Sequence, residues 1–564
     1  ADLKSKIGIN MIRFDIQKIK DTAKNLIDNK SDITTNAAIT IDDASAIANT
    51  TQINALQAVS TSVTYAKVHD SITALKANTA DLDKKTVTFS DSTSNGADYD
   101  ALVTAVGTGS ITGAVVDTAT NLADGKGLSL KGATSVTVQL TNTDKDLSAV
   151  TLDSEVTAID LNGQTATFNI ADIDDKTLSG GSYTVKDTAA NILKAGDVDG
   201  SNEAKDLSQF KALWGASNII VTGWTSEDLS KIGINTTETK AAATAASVTL
   251  GSTTIQLDVA DGEAAQTIVK AEAAKLATID SINILGGKNL TISNEAFKAG
   301  SIALNELDTI TAGTSGSEFI IKADTETNVD LGKISSIGTN ISKITINGTG
   351  NADVIQVSSA FIGHQDATID LASGDGKADK VIFNVDKSQF KTTGTDSLNY
   401  IKVSNFETSK DRVGLYYGGY SDSPKSAIKT LTSTAATTSG EANFNKDITY
   451  IEEDTTITSG TIADVDKVSE VKTVIADAVG NFNKPGVGEE RRLLLSNYIT
   501  NPEDFKTNAV LYSADMGGIT EKKDDLAASD SFKVIGIANL VDVTEKSLGT
   551  LPMGNLTNKP SGFV

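Results

Sequence analysis

Cysteine is absent from this 564-residue chain, and histidine occurs only as His69 and His364. Without thiolates there is no Cys nucleophile, no cysteine-ligated zinc and no iron–sulfur cluster. Two histidines with no partner close in sequence work against Ser–His–Asp catalysis and multi-histidine metal centres, and both read as ordinary core or surface residues. The lack of disulfides leaves the compartment open, because a large enough core stabilises an extracellular chain without them. Proline is nearly as scarce. None precedes Pro424, and the rest are Pro485, Pro502, Pro552 and Pro560. Aromatic residues make up only 5% of the chain, too few for the aromatic-lined cleft of a sugar-cleaving enzyme, and Trp214 and Trp224 read as core anchors. No stretch reaches the roughly 18 consecutive apolar residues that a membrane helix needs. No basic segment followed by an apolar one opens the chain, so no classical signal peptide is expected in it.

Acidic residues, by contrast, are plentiful. Asp and Glu total 73 against 49 Lys and Arg, a formal charge of −24. Such a field repels nucleic acid and anionic membranes and attracts divalent cations. Carboxylates are too numerous to single out a catalytic pair by composition. The Gly374–Gly376 stretch lacks the strand–turn–helix setting and the Lys-Ser/Thr ending of a phosphate loop. These absences together point to a non-enzymatic protein.

The first 420 residues are rich in Thr, Ser, Ala, Gly, Asn and Asp, a mixture suited to short strands joined by many turns. The late prolines, together with Arg412, Arg491 and Arg492, mark a composition change near residue 420. Ile12, Ile16, Ile19, Ala23 and Leu26 recur at helical spacing and predict an amphipathic helix over roughly residues 10 to 29. A weak repeat follows, in which a short strand runs into Asp-Ser or Asp-Thr and then a helical turn. It appears in Ile39–Ile47, Val68–Leu75, Val116–Leu122 and Tyr183–Ile192. Asp at that junction accepts hydrogen bonds from the N–H groups that open a helix, so these aspartates need no catalytic role. Alternation at Val136, Val138 and Leu140, and at Ala166, Phe168 and Ile170, predicts strands; helices are expected over Leu207–Trp214 and the Ala-rich Glu263–Leu276.

From residue 279 to 385 short apolar strands crowd together: Ile282–Ile284, Leu290–Ile292, Phe319–Ile321, Ile344–Ile346, Val354–Val357 and Val381–Phe383. The fold class is therefore mainly β, a short-strand sandwich or, the favoured form, β-solenoid-like domains with small helical insertions and an N-terminal helix. Four domains are expected, over 1–90, 91–245, 246–420 and 421–564.

Two turns carry the chemistry. Gly348-Thr-Gly-Asn-Ala-Asp353 precedes Val-Ile, and Gly374-Asp-Gly-Lys-Ala-Asp379 precedes Lys-Val-Ile-Phe; Ile401–Phe406 and Lys410–Leu415 follow. This succession resembles the closing part of an RTX block, as found in secreted calcium-binding exoproteins, although it holds one or two degenerate copies and not a tandem array. In that family Gly permits the tight turn while Asp side chains and turn carbonyls hold Ca²⁺. The resemblance implies Asp353, Asp375, Asp379 and Asp411 as Ca²⁺ ligands. Independently, Asp197 and Asp199 alternate ahead of Gly200 in a loop able to converge oxygens on a hard cation, though it lacks the Glu that completes an EF-hand.

Tyr450–Ile457, Asn508–Ser513, Ser531–Ile537 and Leu540–Thr544 succeed one another towards the C-terminus in an order similar to that of type I-secreted surface-layer proteins and RTX adhesins. The likeness is to surface-array proteins of Gram-negative bacteria such as the Campylobacter type. It implies a structural subunit at the bacterial cell surface, assembling with copies of itself into a calcium-dependent layer. A segment of a secreted adhesin is the alternative. Lipopolysaccharide or another surface glycan is an implied partner; Arg491-Arg492 is expected to form an intrachain salt bridge, the alternative being a pairing with a neighbouring subunit's carboxylates or with lipopolysaccharide phosphates.

Overall fold

The computed structural model describes, apart from short interruptions, residues 18–197, 206–225, 254–259, 265–268, 279–298 and 309–418. Towards the C-terminus it describes chiefly 429–432, 449–452, 467–479, 492–500, 507–515 and 531–541. Strands predominate, most of them parallel, and helices are short. Among the described residues no helix is long and apolar enough to cross a membrane. Two compact units are present. The first is Ala1–Asp187 with Ala195–Asp197 and Ala204–Ser217; the second is Asn218–Val564 with Thr188–Lys194 and Val198–Glu203.

The first unit is a coil of strand-then-helix turns. Strands Lys67–Asp70, Thr86–Phe89, Ser110–Asp117, Ala133–Gln139, Ala158–Asp160 and Thr177–Ser179 lie side by side in one sheet. Their parallel register stacks Val68 on Val87 on Ile111, and Val138 on Ile159, and all five are buried. Alternate residues of a strand point to opposite faces, so each short strand contributes one or two apolar side chains to a continuous interior stack.

The repeating aspartates tie successive coils together. Helices Thr50–Gln57, Ile72–Ala77, Gly96–Val106 and Ile170–Ile173 each have their own cap at Asn49, Ser71, Asn95 and Asn169. The first N–H of each helix donates instead to an aspartate further along the chain. Thr50 donates to Asp70 at 2.9 Å, Ile72 to Asp91 at 2.6 Å, Gly96 to Asp117 at 2.8 Å and Ile170 to Asp187 at 3.0 Å. A helix leaves its first N–H groups without internal partners, and here a local and a distant side chain each satisfy one. The strand-end aspartates are therefore structural, as their position at the strand–helix junction suggests.

The second unit is built of parallel ladders. Asn218–Thr222, Thr254–Val259, Ser281–Ile284, Thr309–Ala312 and Ser336–Ile337 form one, stacking Val221, Leu257, Ile282 and Ile310 with no exposed surface. A second contains Asn289–Ser293, Ser317–Lys322, Ile341–Asn347, Ala367–Asp370, Ile401–Ser404 and Lys533–Leu540. Its interior column is Ile292, Ile321, Ile346, Ile369, Val403 and Leu540. Antiparallel strands Arg492–Thr500 and Thr507–Asp515 extend this sheet beyond Lys533–Leu540. The third ladder, Asn328–Leu331, Val354–Val357, Lys380–Asp386 and Arg412–Gly418, carries the site described below. The alternation between ladders along residues 281–418 is the solenoid-like form of the mainly-β class.

Two expected helices are corrected. Lys18–Asp21 is a strand paired in parallel with Ala38–Ile41, and the helix begins only at Ala23, capped by Thr22 and ending at Asp28; residues 10–17 lie outside the described residues. The Ile16–Ile19 spacing fits a helix, but Ile19 aligns with Ile39 in the sheet, and strand pairing overrides the local pattern. Within Glu263–Leu276, Ala265–Ile268 is a strand paired with Asn289–Ile292, and the remainder lies outside the described residues. Alanine's helix preference, a few tenths of a kcal/mol per residue, yields to ladder bonds. The Leu207–Trp214 helix forms as expected, and Trp214 and Trp224 are buried.

Candidate functional site

The site grows from a register. Val354 is aligned with Lys380, and Lys380 with Arg412, so the preceding Asp353, Asp379 and Asp411 stack one rung apart. The backbone closes the stack, Lys380 N–H donating to the Asp353 carbonyl and Arg412 N–H to the Asp379 carbonyl, both at 2.7 Å. All three aspartates are buried, at 1%, 2% and 1% exposure.

Their side chains bond upward through the column. Asp353 N–H donates to Asp379 Oδ1 at 2.8 Å, and Asp379 N–H to Asp411 Oδ1 at 2.8 Å. The residue four positions before the aspartate closes each outer turn: Thr349 N–H donates to Asp353 Oδ2 at 2.6 Å, and Glu407 N–H to Asp411 Oδ2 at 2.5 Å. Thr349 also gives its hydroxyl to Asp353 Oδ1 at 2.8 Å. In the middle turn the position four before Asp379 is Asp375. Its Oδ1 accepts Lys377 N–H at 2.8 Å, while its Oδ2 is shut off from solvent with no hydrogen-bond partner.

Glycine makes the turns possible at two kinds of place. A Cβ on Gly348 would stand 2.8 Å from Asp353 Oδ2, so only glycine admits that carboxylate. Gly374 and Gly376, either side of Asp375, have φ of +70° and +69°, the left-handed region.

The electrostatics follow from burial and crowding. Burial pushes the Asp379 carboxyl up to about 6, with Asp411, Asp353 and Asp375 pushing the same way against the Asp353 N–H bond. Burial also raises Asp353 and Asp411, and Asp375 adds to both. Carboxylates one rung apart, about 5 Å in a parallel sheet, repel by about 3 kcal/mol at an effective dielectric near 20. Nearby Lys410 donates to Glu407 at 2.6 Å, and its pKa is raised by Glu407 first and by Asp375 and Asp411 after it.

Four of the six residues singled out in the sequence, Asp353, Asp375, Asp379 and Asp411, therefore meet in one electrostatically linked group. Asp197 is exposed and lies in the first unit, and Asp199 lies outside the described residues. Further along the same acidic stretch of sequence, Asp206 caps the Leu207–Trp214 helix through Gln209 N–H at 3.1 Å. Thr349 and Glu407 escaped the sequence reading, although their spacing of four residues before a ladder aspartate is visible once the turns are aligned. The histidines are apart from this group in chemistry: His69 Nδ1 lies 2.9 Å from Thr88 Oγ1, and burial lowers the pKa of His364.

The donor set is all oxygen, buried, crowded with negative charge and equipped with an unpartnered Asp375 Oδ2, a chemistry suited to a hard cation. The ladder spreads its oxygens along a column, and among the described residues no three carboxylates or imidazoles group tightly enough to hold a metal ion. Comparison with protein-family models, curated proteins and solved structures finds no match to this chain.

Proposed function

We propose that the chain is a non-enzymatic structural subunit of a calcium-dependent bacterial surface layer, exported to the cell surface and assembling laterally with copies of itself. What supports the reading above all is the buried column Asp353–Asp379–Asp411 behind glycine turns, with the unpartnered Asp375 Oδ2 beside it. A group of negative charges so placed is stabilised by positive charge, which Ca²⁺ supplies when bound. The resemblance names Asp353, Asp375, Asp379 and Asp411 as its ligands: Asp375, with its unpartnered Oδ2, would contact it, the charge of the other three would attract it, and Gly374 and Gly376 would let the turn carbonyls approach. Thr349 and Glu407 fix the outer carboxylates through their N–H groups.

A chain of −24 repels its own copies, and divalent ions at acidic loops lower that repulsion. An ion held by the folded, assembled state alone shifts the equilibrium towards it. Repeated heterologous contacts between copies then extend a sheet and do not close a dimer. Lipopolysaccharide or another surface glycan anchors that sheet. Neither nucleic acid nor membrane insertion has a part in it.

Electron microscopy of the full chain tests this. Ordered two-dimensional arrays with calcium, dispersing in chelator, are expected. Isolated rods in calcium would favour the adhesin reading, and arrays indifferent to chelator would remove calcium from it.

A further inference from the structure

His364, one of two histidines in the chain, lies outside the aspartate column. It sits between the short helix Ser359–Ile362 and strand Ala367–Asp370, where the chain passes from the aspartate-bearing ladder to its neighbour. It is 8% exposed, and Phe361 and Ile362 just before it are buried. That helix packs on Val354–Val357 and Lys380–Asp386, two strands of the aspartate-bearing ladder.

The imidazole is held by main chain on two sides. Nδ1 accepts the Asp366 N–H at 3.4 Å, and the Ile341 carbonyl accepts from the ring. These partners assign the proton of the neutral ring to Nε2, the nitrogen left to serve Ile341. The same turn sets the register of the sheet, since the Asp366 carbonyl accepts Ile344 N–H at 3.0 Å. The His364 N–H in turn donates to the Phe361 carbonyl at 3.1 Å. A protonated ring carries a donor on each nitrogen. Its Nδ1–H would face the Asp366 N–H, donor against donor, and a charge would be buried with it.

We propose that His364 is an acid-sensitive latch: the neutral ring holds the turn onto strand Ile341–Asn347, and protonation frees the turn and exposes Phe361 and Ile362. Burial pushes the His364 pKa below its ordinary 6.5, against the Ile341 carbonyl and Asp366, which favour the charged ring. On the elements around the turn the other charged side chains are Asp370, Lys343, Lys380, Asp386 and Lys533. The contribution of the latch is therefore fully present above the ordinary value of 6.5 and is lost as pH falls through the lower folded value. His69 is the internal contrast. It is exposed, and its Nδ1 lies 2.9 Å from Thr88 Oγ1, a hydroxyl that donates or accepts and so suits either form of the ring. The latch needs neither calcium nor assembly, so it stands apart from the layer reading.

Hydrogen exchange of the full chain in chelator tests it, followed by mass spectrometry near pH 7.5 and near pH 5 and corrected for the intrinsic exchange rate. Protection of the segment 359–370 should fall at least about tenfold on acidification, in the parent and in His69→Gln alike. In His364→Gln it should stay within about twofold. Protection indifferent to pH in the parent would overturn the proposal, and so would an equal fall in His364→Gln. Should that variant fail to fold, imidazole proton NMR of the parent decides the matter, because two histidines give two signals and His69→Gln assigns them. His364 is expected to titrate below His69, and titration at or above His69 overturns the latch.

Discussion

Asp379 Oδ1 accepts the N–H of Asp353 while Asp379's own N–H donates to Asp411 Oδ1, both at 2.8 Å. The middle aspartate is thus both a strut between rungs and a charge buried between two others. Its two roles separate on mutation.

Asp379→Ala removes the acceptor and leaves the buried Asp353 N–H without a partner. At pH 4, where the carboxyl is largely protonated in the parent and no buried charge is relieved, stability should fall by about 1–3 kcal/mol, measured by urea unfolding of the full chain. Stability equal to that of the parent chain would show that the strut has no structural weight.

Asp379→Asn keeps an oxygen for that N–H and discards the charge. The Asp379 carboxyl titrates at about 6 in the folded chain against an ordinary 3.8, so the folded state holds the proton more tightly. Its stabilising contribution is fully present below about 4 and is lost as pH rises through about 6. In chelator, Asp379→Asn should therefore be no more stable than the parent at pH 4 and more stable by about 3 kcal/mol at pH 8. Paired unfolding curves across that range check the crossing. A difference independent of pH contradicts it.

Most strands from Ser281 to Asp386 were legible because short apolar runs alternate with Gly, Asn, Asp and Ser turns, and the ladder aspartates because the same glycine turn precedes each of two strands. The first helix was misread since Lys18–Asp21 is too short to display a two-residue period, and its pairing with Ala38–Ile41 is a non-local fact. The strand-end aspartates were recognised as helix caps. Which helix Asp70 serves, the one beginning at Thr50, depends on coil stacking that no local pattern encodes.

Asp70 also gives a contrasting acid response. Burial raises its pKa, but the bonds from the Thr50 hydroxyl, Ser71 N–H and Thr50 N–H outweigh that and hold it below the ordinary value. Its contribution is present above about 4 and is lost as pH falls below that value. Asp70→Ala should lower stability by about 1 kcal/mol at pH 7, and by less under acid, with any calcium response unchanged. A calcium response that disappears in Asp70→Ala would show that the ion acts elsewhere than at the column.

Gly348→Ala forces a methyl group to within 2.8 Å of Asp353 Oδ2. The carboxylate or the turn must move, and a loss of about 1–3 kcal/mol is expected in denaturant unfolding. Gly350, whose added Cβ meets nothing within 4 Å, is the matched control and should tolerate alanine with little change.

The most direct measurement is the melting temperature of the full chain near pH 7.5, with calcium and with chelator, in the parent and in Asp379→Asn. Calcium should raise melting of the parent by several degrees and that of the variant by much less, because the variant lacks the charge the ion offsets. Equal melting of the parent in calcium and in chelator would contradict a cation held at the Asp353–Asp379–Asp411 column.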